Sequence, residues 1–338
     1  MTVYKWMEEI QVVEGYNRAC LFDLNRCDYQ FISKDILELI SRIDGRSQKD
    51  LKIEINELEW FNDFKQKEYF FEIPKKLFGN FSKLSLEWES PSFIINAIIH
   101  ESDKLPRYIQ LIDELLCKHI AIYTKTITSL KEIILNNFLV SNFHSVNFIL
   151  EDDEEYDADI LNTLKDEYPI IGRVDLLKNI VSNQTQNSFV INSLIFSESQ
   201  NFNPFFNRRL YIGKNGEIKN SSESSQIFGN IENDIDKLKK IIQSNEFNEI
   251  GRIKKELIDV CKSCEFRFVC LDNRIPIKRN ENEYYFNEEC NYNPFISKWK
   301  EEDGYLTLKE CGVHSNESEY KINHDLILEI NKKLWESI

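Results

Sequence analysis

Apolar positions recur along this chain in two rhythms, and the change from one to the other divides it. Val13–Phe31 reads as two strands, Cys20–Asp23 and Tyr29–Ile32, joined by the turn Leu24-Asn25-Arg26. Ser33 is placed to cap a helix over Lys34–Ile43, whose Ile36, Leu37, Leu39, Ile40 and Ile43 recur at helical spacing. Asp44-Gly45 breaks it. Ser47 opens a second expected helix bearing Leu51, Ile53 and Ile55, and a third over Glu57–Gln66 leads into the strand-like run Tyr69–Ile73, ended by Pro74. Together these elements predict an N-terminal winged-helix-like domain over residues 1–87, of a size suited to binding.

From Pro91 the rhythm becomes strand–helix repetition. Phe93–His100, His119–Tyr123, Val146–Leu150 and Ile170–Val174 read as strands, with helices over Arg107–Cys117, Ser129–Phe138 and Asp157–Asp166 between them. Ser188–Phe196 reads as a further strand. Such βα repetition predicts a parallel sheet or partial barrel over residues 88–200, in an α/β protein. Asn203–Asn207 is turn-rich. A hairpin then follows, Arg208–Ile212 and Glu217–Asn220 around Asn215-Gly216, a strong tight-turn signal. Helices over Ile231–Ile242 and Glu249–Val260 lead to a cysteine-bearing segment, and residues 201–338 read as a third module.

Composition narrows the functions. The chain has 338 residues and a formal net charge of -15, which argues against nucleic-acid binding, because that depends on a concentrated positive surface. No apolar run is long enough to span a membrane. The start, MTVYKWMEEI, lacks the basic and apolar regions of a secretory signal, so a reducing, cytoplasmic setting is expected. Clustered thiols in that setting point to metal rather than disulfides.

The cluster is Cys261, Cys264, Cys270 and Cys290, spaced C-x2-C-x5-C with the fourth followed by Asn-Tyr-Asn-Pro. Four thiolates from one segment suit a tetrahedral Zn²⁺ or a [4Fe–4S] cluster, and they leave no open position for a substrate. The plainest role for such a site is to supply folding energy to a small module. Cys20 and Cys27 read as small apolar packers, and Cys311 as a conceivable spare ligand. His119, His144, His314 and His324 have no zinc-ligand spacing. No phosphate-binding loop, dinucleotide fingerprint or serine-hydrolase elbow occurs.

Cys261-Lys-Ser-Cys-Glu-Phe-Arg-Phe-Val-Cys-Leu-Asp-Asn-Arg274, with Cys290-Asn-Tyr-Asn-Pro294, resembles the SPASM domain of peptide maturases, in particular the grasp-with-spasm type. The hairpin from Asn203 to Ile231 resembles the entry to that domain, and the βα region is more loosely similar to a radical-SAM barrel. Two departures qualify the likeness. At the positions where a second cluster's cysteines would stand, the chain has Asn220 or its neighbour, Asp234 and Arg274. The loop after the first barrel strand, Glu101–Leu105, has no cysteine at all, so no iron is held open for S-adenosylmethionine and none is expected as a cofactor. The resemblance therefore implies an accessory protein with one cluster or zinc, partnered by a ribosomally made precursor peptide and an ATP-grasp ligase. It also implies peptide recognition by residues 1–87, through strand addition at the Tyr16–Phe31 hairpin beside the helix Lys34–Ile43.

Two other readings stand beside it. A peptide-modifying enzyme without radical chemistry would use the mouth of the βα region, where His100 ends a strand and the acids Glu151–Glu155 follow another. A metal-stabilised interaction protein outside peptide maturation is the third.

Overall fold

A computed structural model describes residues 1–125, 142–150, 166, 171–176, 189–231 and 234–335. The fold is mixed α/β. Its two compact units are not consecutive stretches: one comprises Met1–Trp88, Gln184–Phe202 and Lys254–Ile338, the other Glu89–Asn183 and Asn203–Ile253. The expected module 201–338 is thus divided after residue 253, because its leading hairpin pairs into the βα sheet.

The first unit begins with β1 (Thr2–Trp6), β2 (Ile10–Glu14), β3 (Ala19–Asp23), β4 (Asp28–Ile32), α1 (Ile36–Ile43), α2 (Leu58–Gln66) and β5 (Phe70–Pro74). The expected hairpin gains a strand and becomes the antiparallel meander β2-β3-β4, while β1 pairs with β5. Every residue of β3 is buried. Ala19 and Leu21 enter a core with Ile36, Leu39 and Ile43 of α1. Cys20 and Phe22, on the opposite face, enter a second core with Phe266, Val269 and Tyr292. The helix expected after Ser47 is a turn instead. A single turn closes there, the Leu51 N–H donating to the Ser47 carbonyl (3.0 Å), while Ser47 Oγ donates to Asp50 Oδ2 (2.6 Å), a local side-chain bond that competes with helix propagation.

The second unit holds β6 (Asn96–His100), α3 (Leu105–Glu114), β7 (His119–Thr124), β8 (Ser145–Leu150) and β9 (Ile171–Leu176). The chain then passes through α4 (Ser193–Ser199) of the first unit and returns with β10 (Arg209–Ile212), β11 (Glu217–Lys219), β12 (Gly229–Asn230), α5 (Ile235–Ile242) and the one-turn α6 (Asn245–Asn248). Strands β6 to β9 are parallel neighbours in sequence order. The strand β10 adds to β6 in parallel, and β11 and β12 extend that edge antiparallel. Alternate residues, Ile99, Ile122, Phe148 and Leu210 among them, share a core with Ile112 of α3 and Leu238 of α5. Gly216 has φ +86°, as its tight turn requires. The helices expected over Ser129–Phe138 and Asp157–Asp166 lie outside the described residues, save Asp166. No described helix is long and apolar enough to cross a membrane.

Two further expectations change in the C-terminal half. The segment Ser188–Phe196 is not a strand among its described residues: Phe189 makes an isolated bridge to Cys270, and the Asn192 side chain, accepting from the Ile195 N–H (2.9 Å), starts α4. Glu249–Val260 is not one helix but successive tight turns. Gly251 packs on the Asn207 backbone, where an added Cβ would lie 3.0 Å from Asn207 Cα, and its carbonyl accepts from the Asn203 N–H (2.8 Å). Three hairpins follow, β13 (Ile277–Asn280) with β14 (Glu283–Tyr285), β15 (Tyr292–Asn293) with β16 (Lys298–Trp299), and β17 (Val313–Ser315) with β18 (Tyr320–Ile322). The helix α7 (His324–Trp335) comes last.

Candidate metal centre

The cysteine segment starts from a strained backbone. Val260 has φ +64° and ψ -52°, and the Cys261 N–H donates to the Asp259 carbonyl at 2.6 Å. That is the rarer, strained form of the three-residue turn, at a β-branched residue that strongly disfavours positive φ. The surroundings hold it there. Asp259 is buried, its carboxylate takes Arg279, Lys262 (3.2 Å) and Ser315 Oγ (3.1 Å), and its N–H donates to the Tyr284 carbonyl (2.8 Å). A single 3-10 turn, Cys261–Ser263, then returns the chain to Cys264, whose N–H donates to the Cys261 carbonyl (2.9 Å).

The four thiols share one electrostatic neighbourhood. Burial is the leading influence on all of them, pushing Cys261 up to about 11, Cys270 up to about 12, and Cys264 and Cys290 upward too. Three of the thiols also feel others of the quartet: Cys261 feels Cys290, Cys264 feels Cys261 and Cys270, and Cys270 feels Cys290 and Cys261. Unligated, they are therefore protonated at neutral pH, and metal binding must displace those protons. Two backbone donors already face sulfur: Phe266 N–H to Cys264 Sγ (3.4 Å) and Tyr292 N–H to Cys290 Sγ (3.5 Å). Among the described residues, no group of three or more His, Cys, Asp or Glu is arranged to hold a metal ion. The chemistry of the donor set nevertheless suits a thiolate-bound centre, since amide donors and buried cations both favour the charged sulfur.

Those cations were not visible in the sequence. Lys255 is 1% exposed and Asp272 likewise, with 3.2 Å between Lys255 Nζ and Asp272 Oδ2. Arg274 Nη2 reaches the same oxygen at 2.6 Å, and Arg274 Nη1 donates to the Glu288 carbonyl (2.6 Å). Burial opposes the charge on Lys255, but Asp272, Cys270 and Cys261 together hold its pKa above the ordinary value. Burial likewise opposes the Asp272 carboxylate, and Lys255 and Arg274 outweigh it, drawing that group well below the usual range.

The loop between Cys264 and Cys270 points its side chains into the N-terminal sheet. Glu265, fully buried, accepts from Arg18 Nε (2.7 Å) and from the Tyr292 hydroxyl. Phe266 stacks on Phe189 (4.2 Å between ring centroids) and meets Tyr29 and Phe31 edge-on. Arg267 Nη1 donates to the Glu14 carbonyl (2.6 Å), and the Tyr16 N–H donates to the Ser263 carbonyl (2.7 Å), inside the C-x2-C turn itself.

Other candidates fall elsewhere. Cys20 is buried, as expected of a packer, whereas Cys27 is exposed with φ +55° in the β3–β4 turn. Cys311 is buried with Phe295, Ile296 and Val313, and Asn293 Nδ2 lies 3.4 Å from its sulfur. His100 Nε2 is hydrogen-bonded to the Tyr211 hydroxyl (2.6 Å) and stacked on Tyr123 (4.5 Å) at the ends of β6, β10 and β7. The acids Glu151–Glu155 lie outside the described residues. His119 and His144 meet edge-on at 6.0 Å, His324 Nδ1 is 2.6 Å from the Tyr16 hydroxyl, and His314 lies with His324 in a shallow hollow. No protein-family model, curated protein or solved structure matches this chain.

Proposed function

We propose that this chain is a cytoplasmic accessory protein in the maturation of a ribosomally made peptide, binding the precursor and working beside an ATP-grasp ligase. In this reading residues 1–87 form a winged-helix-like recognition element, the βα region is a degenerate partial barrel, and the cysteine segment is a SPASM-like module. Cys261, Cys264, Cys270 and Cys290 would hold one [4Fe–4S] cluster or one zinc ion, whose contribution is to fix the fold rather than to react. The single observation that carries the reading is that the cysteine loop and the β2-β3-β4 sheet share one core, through Phe266, Val269 and Tyr292. A closed thiolate centre placed there acts as a strut for a binding sheet.

Both faces of that sheet are covered, so a peptide strand meets it at an edge. Strands β2 and β4 are its two edges, and on β4 Asp28 is exposed and Tyr29, Gln30 and Phe31 partly so. The helix flanking it is α2 rather than the expected α1: Gln30 Nε2 donates to Asp63 Oδ2 (2.7 Å) and Lys67 Nζ to Gln30 Oε1 (2.7 Å). The test is a titration and pull-down of the full-length protein with the precursor peptide and with the ligase. Binding to both is expected, and binding to neither defeats the proposal. A second reading, an enzyme without radical chemistry, draws on the His100–Tyr211 pair. Replacing His100 by Ala should leave peptide modification intact if the chain is an accessory, and abolish it with peptide binding retained if it is an enzyme.

A further inference from the structure

Strands β1 and β5 form a sheet of their own, and its two edges differ. The Met7 N–H donates to the Tyr69 carbonyl (2.9 Å) and the Lys75 N–H to the Met1 carbonyl (3.1 Å). With the observed register, the ladder on the β5 side therefore runs through Tyr69, Phe71, Ile73 and Lys75. The residues between them turn their backbone groups outward: Tyr4 and Trp6 on β1, Phe70, Glu72 and Pro74 on β5. The chain itself closes the outer edge of β1. The Tyr4 N–H donates to the Arg46 carbonyl and the Gly45 N–H to the Tyr4 carbonyl (both 2.8 Å), while the Trp6 N–H donates to Asp44 Oδ1 (2.8 Å). On the outer edge of β5, no backbone hydrogen bond from another described residue reaches Phe70, Glu72 or Pro74. Such an edge is a template for another strand. Pro74 blunts only its end, and beside Glu72 the strand exposes an aromatic side chain. Phe71 and Phe81 meet edge-on at 5.7 Å yet stay 38% and 42% exposed, and Leu77, in the 3-10 turn after β5, is 39% exposed. The local charge runs against the whole. Residues 70–83 carry Lys75, Lys76 and Lys83, all exposed, against Glu72 alone, in a chain of formal net charge -15. A second copy fits poorly, because two-fold antiparallel pairing centred on β5 would set Glu72 opposite itself.

We propose that β5 is a docking edge for an acidic peptide segment, which adds to the β1-β5 sheet as a third strand. Its backbone takes up the outward groups of Phe70 and Glu72. Its alternate apolar side chains lie on Phe71, Leu77 and Phe81, and its carboxylates answer Lys75 and Lys76. This edge belongs to a different sheet from β2-β3-β4, so the proposal stands or falls apart from the reading above.

The test pans a displayed library of random short peptides against the full-length protein at low salt, then titrates synthetic copies of the selected peptides by fluorescence anisotropy. Peptides that alternate apolar and acidic residues should be enriched. Glu72→Pro removes an outward N–H without touching the ladder to β1, and should weaken their binding about 10-fold, the worth of one hydrogen bond to the added strand. Glu72→Gln keeps that N–H and should bind at least as tightly as the wild type. Lys75→Glu/Lys76→Glu should weaken binding roughly 3- to 10-fold, as exposed charges do, and it carries the test if Glu72→Pro does not fold. No enriched peptide, enriched peptides that are basic or uncharged, or unchanged affinity in Glu72→Pro or in Lys75→Glu/Lys76→Glu overturns the proposal. A dimer in solution that Glu72→Pro disperses also overturns it, giving the edge to a second copy.

Discussion

Glu265 is held without solvent by two neighbours from distant parts of the chain, Arg18 and Tyr292. Arg18 also lies 3.2 Å from the centre of the Phe31 ring, so it is packed as well as paired. Removing one member of such a pair strands the other charge. Arg18→Met should therefore cost about 3–5 kcal/mol, and the double variant Arg18→Met/Glu265→Gln much less. Denaturant unfolding of the three proteins checks this, and a double variant no more stable than Arg18→Met contradicts it. At this scale the sequence is legible only in part. The cysteines announce themselves by spacing, since C-x2-C-x5-C is a pattern of local separation readable in the chain alone. Lys255 sits in the run Lys254-Lys255-Glu256, which reads as any solvated surface segment. Its burial comes from Asp272 and Phe286, and no local pattern encodes those partners.

Strand β3 is the element on which the first unit turns, since it is buried on both faces and joins two cores. Its run Ala19-Cys20-Leu21-Phe22 is continuous rather than alternating, as a doubly covered strand requires. Phe266 fills the core on one side, and Phe266→Ala should destabilise the unit by about 3–5 kcal/mol. More tellingly, hydrogen exchange should quicken together in β2-β3-β4 and in residues 261–270. Faster exchange confined to the cysteine loop would separate what the shared core joins. The helices α1, α3 and α5 and the strands β6 to β8 were legible because their apolar period is strong. The turn at Ser47 and the breaks around Gly251 were not, because one side-chain hydrogen bond and one close backbone approach outweigh a weak helical period.

Across the whole molecule the chain passes four times between its two compact units. Neither unit is a contiguous segment: the crossings fall after residues 88, 183, 202 and 253, and the changes in rhythm near residues 88 and 200 lie beside only two of them. The fragment 1–88 carries the β2-β3-β4 sheet without Phe266, Val269, Tyr292 or Trp299 over one face. It should bind a hydrophobic dye and show poorly dispersed NMR spectra, whereas a sharp, dye-free fragment would show the N-terminal region to be self-sufficient. The same dependence has a consequence in time. On a ribosome adding about 5–20 residues per second, Phe22 emerges roughly 10–60 seconds before the residues that cover it. During synthesis the nascent sheet presents an apolar face that Leu84 and Leu86 reach early but the aromatic cover from the C-terminal half does not, so the protein's yield in a cell should depend on chaperones that shelter that interval.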